Sequence, residues 1–359
     1  MQVVSGLKNK DSIAVKRHRY LISIVLYMNN SIESHIIKCL GASEVSSAEM
    51  IQRLWSGYGS IVRYAVTGAD VDSVIVKHIS PPNSGKHPRG WNTDLSHERK
   101  LKSYRVESTW YRDYAQRCGL TCRVPKCYAI QSSGDQVILI LEDLDGAGFG
   151  GRRQGVDRRE LKQCLNWLAA FHATFLNVEP QGLWDRGTYW HLETRPDELE
   201  VLKDEDNELY HMAGPIDRRL AMNSFQTLVH GDAKLANFCF STADQAVAAV
   251  DFQYSGSGCG MQDVFMLFSS CWGASDYERH EATSLDYYFK ALREALSTIG
   301  RSIDLDALER EWRSLYPLAC ADFQRFLKGW SPGHWKINSY NERLTREVVA
   351  QFKEPGVCN

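Results

Sequence analysis

The sequence carries almost no net charge, which limits the kinds of partner that it can bind. Lys and Arg number 42, and Asp and Glu number 44, among 359 residues. Because the two kinds of charge are nearly equal in number, they create no general electrostatic field that would attract nucleic acid or a membrane surface. A partner must therefore be recognised at a local site. The length allows one large domain or two modest domains with a sizeable core. We therefore expect no nucleic-acid partner.

Long apolar runs are also missing. No segment approaches the ~20 apolar residues that a membrane-spanning helix needs, so we expect no membrane partner and a cytoplasmic location. Basic residues precede the apolar run 20–27 in the manner of a signal peptide, but no small-residue cleavage site follows. We interpret Met28 as the true start and residues 1–27 as an extra or poorly ordered segment.

The spacing of the cysteines argues against a zinc site. Ten cysteines are scattered irregularly, and Cys118, Cys122 and Cys127 come closest to a cluster. The gaps between these three and the lack of a companion His do not match the usual zinc-binding patterns. We expect buried thiols in a reducing compartment.

One stretch combines polar residues at fixed spacings between apolar strands. His230-Gly231-Asp232 follows an apolar run, Asn237 comes five residues after Asp232, and a second apolar run ends in Asp251. Kinase catalytic loops have this order: His-x-Asp, four residues, Asn, and then Asp-Phe-x. Phosphoryl transfer needs a carboxylate at the acceptor hydroxyl and oxygen ligands for Mg²⁺. Asp232 is therefore the predicted catalytic base, and Asn237 and Asp251 are the predicted metal ligands.

Two details of these motifs resemble small-molecule kinases more than most protein kinases: Gly231 at the centre of the triplet, and Gln253 in Asp-Phe-Gln. The chain is similar in these motifs to aminoglycoside phosphotransferases and choline kinases, over roughly residues 50–345. It most resembles the ecdysteroid-kinase-like branch, in which Asp-Phe-Gln is usual. The resemblance implies ATP and Mg²⁺ as cofactors and a small-molecule hydroxyl acceptor. It also implies an α+β, two-lobed protein-kinase-like fold, with a small antiparallel-sheet N-lobe and a larger helical C-lobe.

The pattern of apolar residues agrees with such a fold. Short runs separated by glycine-rich turns predict antiparallel hairpins, with strands over residues 50–55, 61–67, 73–79, 124–131 and 136–141. Three- and four-residue apolar steps predict helices over residues 31–45 (ending near Gly41), 94–116, 158–176, 264–272, 277–298, 305–326 and 339–352. We predict a nucleotide-binding N-lobe over residues 28–144, and a catalytic and acceptor-binding C-lobe over residues 145–359.

The resemblance also assigns residues to the nucleotide. Lys77 closes an alternating strand in the manner of the kinase Val-x-x-Lys, so its ammonium would bridge the α- and β-phosphates and a helix carboxylate would hold it. Glu107 begins a run similar to the Glu-x-x-x-Tyr-x-x-x-Ala helix of the family, and Glu98 is the alternative partner. The alternative interpretation of Lys77 is a lysine on the solvent face of an edge strand.

Two further segments are predicted to contact the nucleotide. Gly59 and Ser60 lie in a glycine-containing turn that could fold over the phosphates, or that could be a simple hairpin turn. Glu142 and Leu144 flank the linker between the lobes, where backbone groups would meet adenine.

The resemblance predicts the roles of three further residues in or near the motif. Lys234 is the predicted transition-state cation, and a solvated surface lysine is its alternative. His230 is predicted to be structural. Asp263 is predicted to cap a helix and to tie down the loop.

The acceptor is the least specified part of the prediction. Residues 188–191 and 330–335 are aromatic-rich loops that could hold an apolar ring or a quaternary amine. Sterol-like, choline-like and aminoglycoside-like acceptors all remain open, as does the oligomeric state. A protein kinase is one alternative, but no Ala-Pro-Glu segment follows and only 11 residues separate Asp251 from Asp263. A non-catalytic nucleotide-binding protein is another, although it would need none of the four polar residues Lys77, Asp232, Asn237 and Asp251.

Overall fold

The computed structural model describes residues 32–54, 57–82, 94–243 and 246–353. The predicted extra segment 1–27 lies outside these residues. The chain divides into two compact units, one formed by Met1–Ser80 and Cys127–Asp143, the other by Pro81–Lys126 and Leu144–Asn359. The functional division of the chain at residue 144 stays a prediction.

The first unit contains a five-stranded antiparallel sheet, as the hairpin pattern predicts. Its strands are β1 (Glu44–Arg53), β2 (Gly59–Thr67), β3 (Ser73–Ile79), β4 (Cys127–Ser133) and β5 (Gln136–Glu142). Their order is β1-β2-β3-β5-β4, so β3 is the central strand. β1 begins earlier than predicted because its pairing with β2 extends to Glu44 opposite Thr67, through two irregularities in register.

A short helix covers one side of this sheet. Helix α1 is described over residues 32–40 and ends at Gly41, which has a φ of 68° and donates its N–H to Ile37 O at 2.8 Å. A left-handed glycine is a common helix terminator, because it has no Cβ to clash. Ile32 and Ile36 pack in a core with the strand residues Tyr64, Val66, Val74, Val76 and Ile140.

The second unit is mainly helical. Its helices are α2 (Asp94–Asp113), α3 (Arg158–Phe175), α4 (Pro196–Glu205), α5 (Asn207–Ala221), α6 (Gly260–Cys271), α7 (Ala274–Ile299), α8 (Leu305–Trp330) and α9 (Ser339–Lys353). The sequence pattern missed α4 and α5, which are rich in charged residues and bury only a few apolar side chains, among them Leu202, Leu209, Ala213 and Ile216. No helix in the described part of the chain is both long and apolar enough to cross a membrane. The α+β class, with a small antiparallel sheet and a larger helical part, is confirmed.

Two small antiparallel strand pairs carry the polar motifs of the second unit. β6 (Thr227–Val229) pairs with β9 (Gly256–Gly258), and β7 (Phe238–Phe240) pairs with β8 (Val247–Ala249). Residues 230–237, here called the His-Gly-Asp loop, connect β6 to β7, and Asp251 follows β8.

Candidate active site

The Asp263 carboxylate holds the His-Gly-Asp loop in place. Its Oδ2 accepts the backbone N–H of His230 at 2.6 Å, and its Oδ1 accepts that of Gly231 at 2.9 Å. His172 Nε2 lies 3.1 Å from the same Oδ2 and joins the loop to α3. The predicted tie is therefore present, but the predicted helix cap is wrong. Cys259 precedes the first turn of α6, and Asp263 is the fourth residue of that helix.

Gly231 occupies a position that no other residue fits. Its φ is 80°, and a Cβ there would lie 2.1 Å from Tyr254 O and 2.8 Å from Thr188 N. Both neighbours are backbone atoms, which cannot rotate away. The glycine at the centre of the triplet therefore has a steric cause.

The His230 ring holds the loop through hydrogen bonds from both of its nitrogens to backbone groups. Its Nδ1 accepts the backbone N–H of Asp232 at 3.3 Å, so Nε2 carries the proton of the neutral ring and donates it to Val250 O at 3.0 Å. The ring also packs 4.6 Å from the Phe252 ring. Both nitrogens are engaged within the protein, as the predicted structural role requires.

Asp232, Lys234 and Asn237 meet at one carboxylate oxygen. Lys234 Nζ donates to Asp232 Oδ2 at 2.6 Å, and Asn237 Nδ2 donates to the same oxygen at 3.2 Å. Asp232 Oδ1 is buried and has no hydrogen-bond partner among the described residues. The carboxylate is thus held by one oxygen while the other keeps its full hydrogen-bonding capacity. Lys234 is ion-paired with Asp232 and its side chain is 40% exposed. Its role as transition-state cation stays a prediction.

The electrostatics of this group favour a proton acceptor. Burial raises the pKa of the Asp232 carboxyl, and the like charge of Asp251 raises it further, although Lys234 opposes both effects. Burial acts to lower the pKa of the Lys234 ammonium, but its ion pair with Asp232 outweighs burial and the pKa rises. Asp232 is therefore more basic than an exposed carboxylate, and Lys234 remains a cation.

The β7–β8 hairpin places Asp251 one residue beyond a backbone contact of Asn237. Asn237 directly precedes β7, and its backbone oxygen accepts the N–H of Val250, the residue before Asp251, at 3.0 Å. Asp251 has a φ of 74°, a left-handed conformation that is strained for a residue with a side chain. Such strain persists only where the surroundings enforce it, and it is common at functional sites.

The Gln253 side chain connects Asp251 to helix α2. Its Nε2 donates to Asp251 Oδ1 at 2.5 Å, and its Oε1 accepts Lys100 Nζ and Ser103 Oγ, each at 3.2 Å. Phe252 stacks on Trp110 of the same helix, with ring centroids 3.4 Å apart. Sequence reasoning noted Gln253 only as a feature of the family and missed this bridge.

A model of the phosphotransferase enzyme family (APH) matches residues 51–297, which is more than half of the chain. The chain belongs to this phosphotransferase family. The predicted superfamily of aminoglycoside phosphotransferases and choline kinases, and the predicted enzyme class, are thereby confirmed. A search of curated proteins found no match.

Several solved structures are similar to this phosphotransferase. A microcompartment-associated aminopropanol kinase is 12% identical, with 88% of this chain and 94% of that one covered and a TM-score of 0.48. An ethanolamine kinase of Plasmodium vivax is 13% identical, with 83% and 81% covered and a TM-score of 0.47. An amicoumacin kinase in complex with AMP-PNP and Ca²⁺ is 12% identical, with 86% and 87% covered and a TM-score of 0.45. At these values they carry no argument about the acceptor.

The predicted phosphate-contacting residues lie in the five-stranded sheet of the first unit of this phosphotransferase. Lys77 lies in β3, between Ile61 of β2 and Leu139 of β5, and is 4% exposed, so the solvent-facing edge-strand alternative is wrong. Gly59 begins β2 with a φ of 137°, and a Cβ there would lie 1.9 Å from His78 O. Gly59 is therefore required by the close approach of β3, whether or not it also contacts phosphate. Ser60 pairs with Arg53 and His78 within the same sheet.

The remaining predicted nucleotide residues are divided between the two units. Glu142 ends β5 in the first unit, whereas Leu144 is buried in the second and packs with Cys239 and Ala248. On α2, Glu107 is 1% exposed, whereas Glu98 is exposed to solvent. Which of these two glutamates pairs with Lys77, and how the linker meets adenine, stay predictions.

The two aromatic-rich segments of the phosphotransferase meet at helix α8. Phe326 lies 5.4 Å from the Tyr189 ring and 5.8 Å from the Trp330 ring. Trp330 is the last residue of α8, so it is not in a loop as predicted. Trp190 is fully buried and donates to Asp322 Oδ2 at 3.0 Å, which makes it part of the core.

Proposed function

We propose that the protein transfers the γ-phosphoryl group of ATP to a hydroxyl group of a small organic molecule. The observation that supports this most directly is the Asp232 carboxylate, which Lys234 and Asn237 hold by one oxygen while the other has no described partner. A base for phosphoryl transfer has to accept one proton from a positioned hydroxyl, and positioning is most of its contribution. The narrower relationship to ecdysteroid-kinase-like proteins is part of this proposal.

The residues around Asp232 fit a magnesium ion. Asn237 uses its amide nitrogen on Asp232, so its amide oxygen is available, and Asp251 adds a carboxylate beside it. The described residues contain no group of three or more His, Cys, Asp or Glu arranged for a metal. Mg²⁺ needs no such group, because it commonly takes one or two protein oxygens and completes its shell with phosphates and water. Bound Mg²⁺ would neutralise charge on the phosphate oxygens.

Each of the chain's own residues then has a limited task. Asp232 orients the acceptor hydroxyl and takes its proton at Oδ1, which has no hydrogen-bond partner among the described residues. Lys234 balances the charge of Asp232 and is placed next to developing negative charge on the phosphoryl oxygens. Lys77, with Glu107 or Glu98, and the segments around Gly59, Ser60, Glu142 and Leu144 are proposed to hold the nucleotide.

Membership of the phosphotransferase family favours a small-molecule acceptor over a protein acceptor. The segment between Asp251 and α6 supports this choice, because it contains only β9 and its flanking residues and no long activation loop of the protein-kinase type. A non-catalytic nucleotide-binding protein would have no use for the shared carboxylate of Asp232.

An ADP-coupled assay tests the proposal. Sterols, amino alcohols, sugars and aminoglycosides are offered as acceptors with ATP and Mg²⁺, and wild type is compared with Asp232→Asn. We expect at least one acceptor to be phosphorylated, and the variant to lose about 100-fold or more in rate, because positioned proton transfer typically contributes that much. Equal rates in both proteins would remove Asp232 from the mechanism.

A further inference from the structure

Four aromatic side chains pack together near Asp232 and are here called the aromatic wall: Tyr189 and Trp330, which are half-buried, and Phe323 and Phe326, which are buried behind them. Tyr189 anchors it to the His-Gly-Asp loop, because its backbone N–H donates to Gly231 O at 3.1 Å. Burial raises the pKa of the Tyr189 hydroxyl, and the charge of Asp232 adds to the effect, so the two groups interact. A molecule that presents a hydroxyl to Asp232 would therefore meet this wall.

The faces of the aromatic wall already carry the protein's own cations. The Arg195 guanidinium lies 5.0 Å from the Phe326 ring and 5.9 Å from the Tyr189 ring. Lys336 Nζ lies 5.4 Å from the Phe323 ring. A quaternary ammonium or a protonated amine binds aromatic faces in this same way. A cationic acceptor would thus compete with these side chains for the aromatic rings.

The two cations differ in their partners. Arg195 forms an ion pair with Glu198 at 3.1 Å and donates to Tyr189 O at 2.6 Å. Lys336 forms no ion pair with any residue that the structure describes. Its only close polar contacts there are Ser269 Oγ at 3.4 Å and Met266 Sδ at 3.9 Å. The charge of Arg195 is therefore compensated within the protein, and that of Lys336 is not.

Lys336 is close to the proposed chemistry. Ser269, which it contacts, precedes Ser270, whose Oγ accepts the N–H of Leu235 in the His-Gly-Asp loop at 2.8 Å. Burial lowers the pKa of Lys336 to about 8, while Asp232 acts to raise it and Lys234 to lower it. An ammonium that is costly to bury and unpaired gains most from a negatively charged ligand.

We propose that Lys336 binds an anionic oxygen of the acceptor, so that the substrate is a hydroxylated organic acid with an apolar ring. The ring packs on the half-buried faces of Tyr189 and Trp330, the anion meets Lys336, and the hydroxyl reaches Asp232. This inference rests on the proposed function, since it concerns the acceptor of that same site. It excludes choline-like and polycationic aminoglycoside acceptors as preferred substrates.

The test compares two probes that share a para-hydroxymethyl phenyl ring and carry opposite charges: para-hydroxymethyl benzoate and para-hydroxymethyl benzyl-trimethylammonium. Their binding to the full chain is measured by calorimetry with Mg²⁺ and a non-hydrolysable ATP analogue. Wild type should bind the benzoate at least about tenfold more tightly, since a partly buried ion pair is screened less than an exposed one. Lys336→Arg should keep this order and Lys336→Glu should reverse it.

Lys290→Glu is the matched control, because Lys290 lies on α7 with its side chain 76% exposed. It should leave the preference as in wild type. Equal binding of the two probes, tighter binding of the ammonium probe, binding of neither, or an unchanged preference in Lys336→Glu would each overturn the inference. The proposed function is judged separately by ATP turnover in wild type and Asp232→Asn. Failure there would leave the measured charge preference standing.

Discussion

Gln253 Nε2 donates to Asp251 Oδ1 at 2.5 Å, while its Oε1 accepts Lys100 and Ser103 of helix α2. One uncharged side chain thereby fixes the orientation of a carboxylate whose own backbone is left-handed. A carboxylate that has to meet a metal ion gains from such support, since groups that orient metal ligands contribute strongly to metal affinity.

Replacing Gln253 with Leu should weaken the binding of Mg²⁺ without unfolding the protein. The variant keeps the side-chain volume but loses all three hydrogen bonds, so we expect the Mg²⁺ concentration for half-maximal activity to rise about 10- to 100-fold. Titration of activity with Mg²⁺ measures this, and the KM for the acceptor should change little. Ser103→Ala, which removes only one of the three hydrogen bonds of Gln253, is the control. An unchanged Mg²⁺ dependence in Gln253→Leu would show that Asp251 needs no support from Gln253.

Substitution of Gly231 by Ala should be far more costly than the same change at Gly134. Both glycines have positive φ, 80° and 59°. Only Gly231 faces backbone atoms, and nothing lies within 4 Å of a Cβ at Gly134. We expect Gly134→Ala to cost about 1 kcal/mol from φ alone, and Gly231→Ala about 3 kcal/mol or more, because Tyr254 and the loop must move. Urea unfolding measures both, and equal costs would mean that the loop absorbs a methyl group freely.

Asp263→Asn should destabilise the protein by about 2 to 4 kcal/mol, because the new amide nitrogen faces buried donors that lose their acceptor. The change preserves shape, so the loss reports on hydrogen bonding. Asp276→Asn is the control, since Asp276 also accepts a backbone N–H but at an exposed helix start. It should cost less than about 1 kcal/mol. Comparable urea midpoints for the two variants would contradict the role assigned to Asp263.

Local sequence order explains why Asp232, Asn237 and Asp251 belong to one part of the second unit. Asp232 and Asn237 are five residues apart, and Asp251 lies just across the β7–β8 hairpin from Asn237, so short-range spacing carries this geometry. The strands around Lys77 and the long amphipathic helices were predictable for the same reason, because their periodicity is contained in neighbouring residues. Asp263 was misplaced at a cap because glycine-rich residues hide the start of α6, where Gln262 accepts the Cys259 N–H at 3.0 Å.

Contacts between distant parts of the chain were not predictable. Gln253 reaches back to Lys100, and Lys336 reaches the neighbourhood of Asp232 from a segment after α8. No periodicity or motif connects such residues, since they meet only when several helices have packed. Helices α4 and α5 were missed because charged residues and the internal Pro215 mask their apolar faces, which are buried by tertiary packing with α8.

Lys336 should make the stability of the protein rise with pH on the alkaline side. Burial lowers the pKa of Lys336 to about 8 in the folded state, whereas an unfolded lysine titrates near 10.4. Between these values the unfolded state binds more protons, so the free energy of unfolding increases with pH. The charged and titratable groups facing Lys336 are Asp232 and Lys234 from the loop, Cys271 from α6, and His334 from its own segment.

The measurement is urea unfolding of wild type and Lys336→Met between pH 7.5 and 10.5. The difference in unfolding free energy between the two proteins isolates the lysine, because the other facing groups are present in both. We expect wild type to gain stability relative to Lys336→Met as pH rises through about 8, and Lys290→Met to show no such trend relative to wild type. If this difference does not change with pH, Lys336 is as well solvated in the folded protein as in the unfolded chain. That result would contradict the description of Lys336 as a cation that is partly buried without an ion-pair partner.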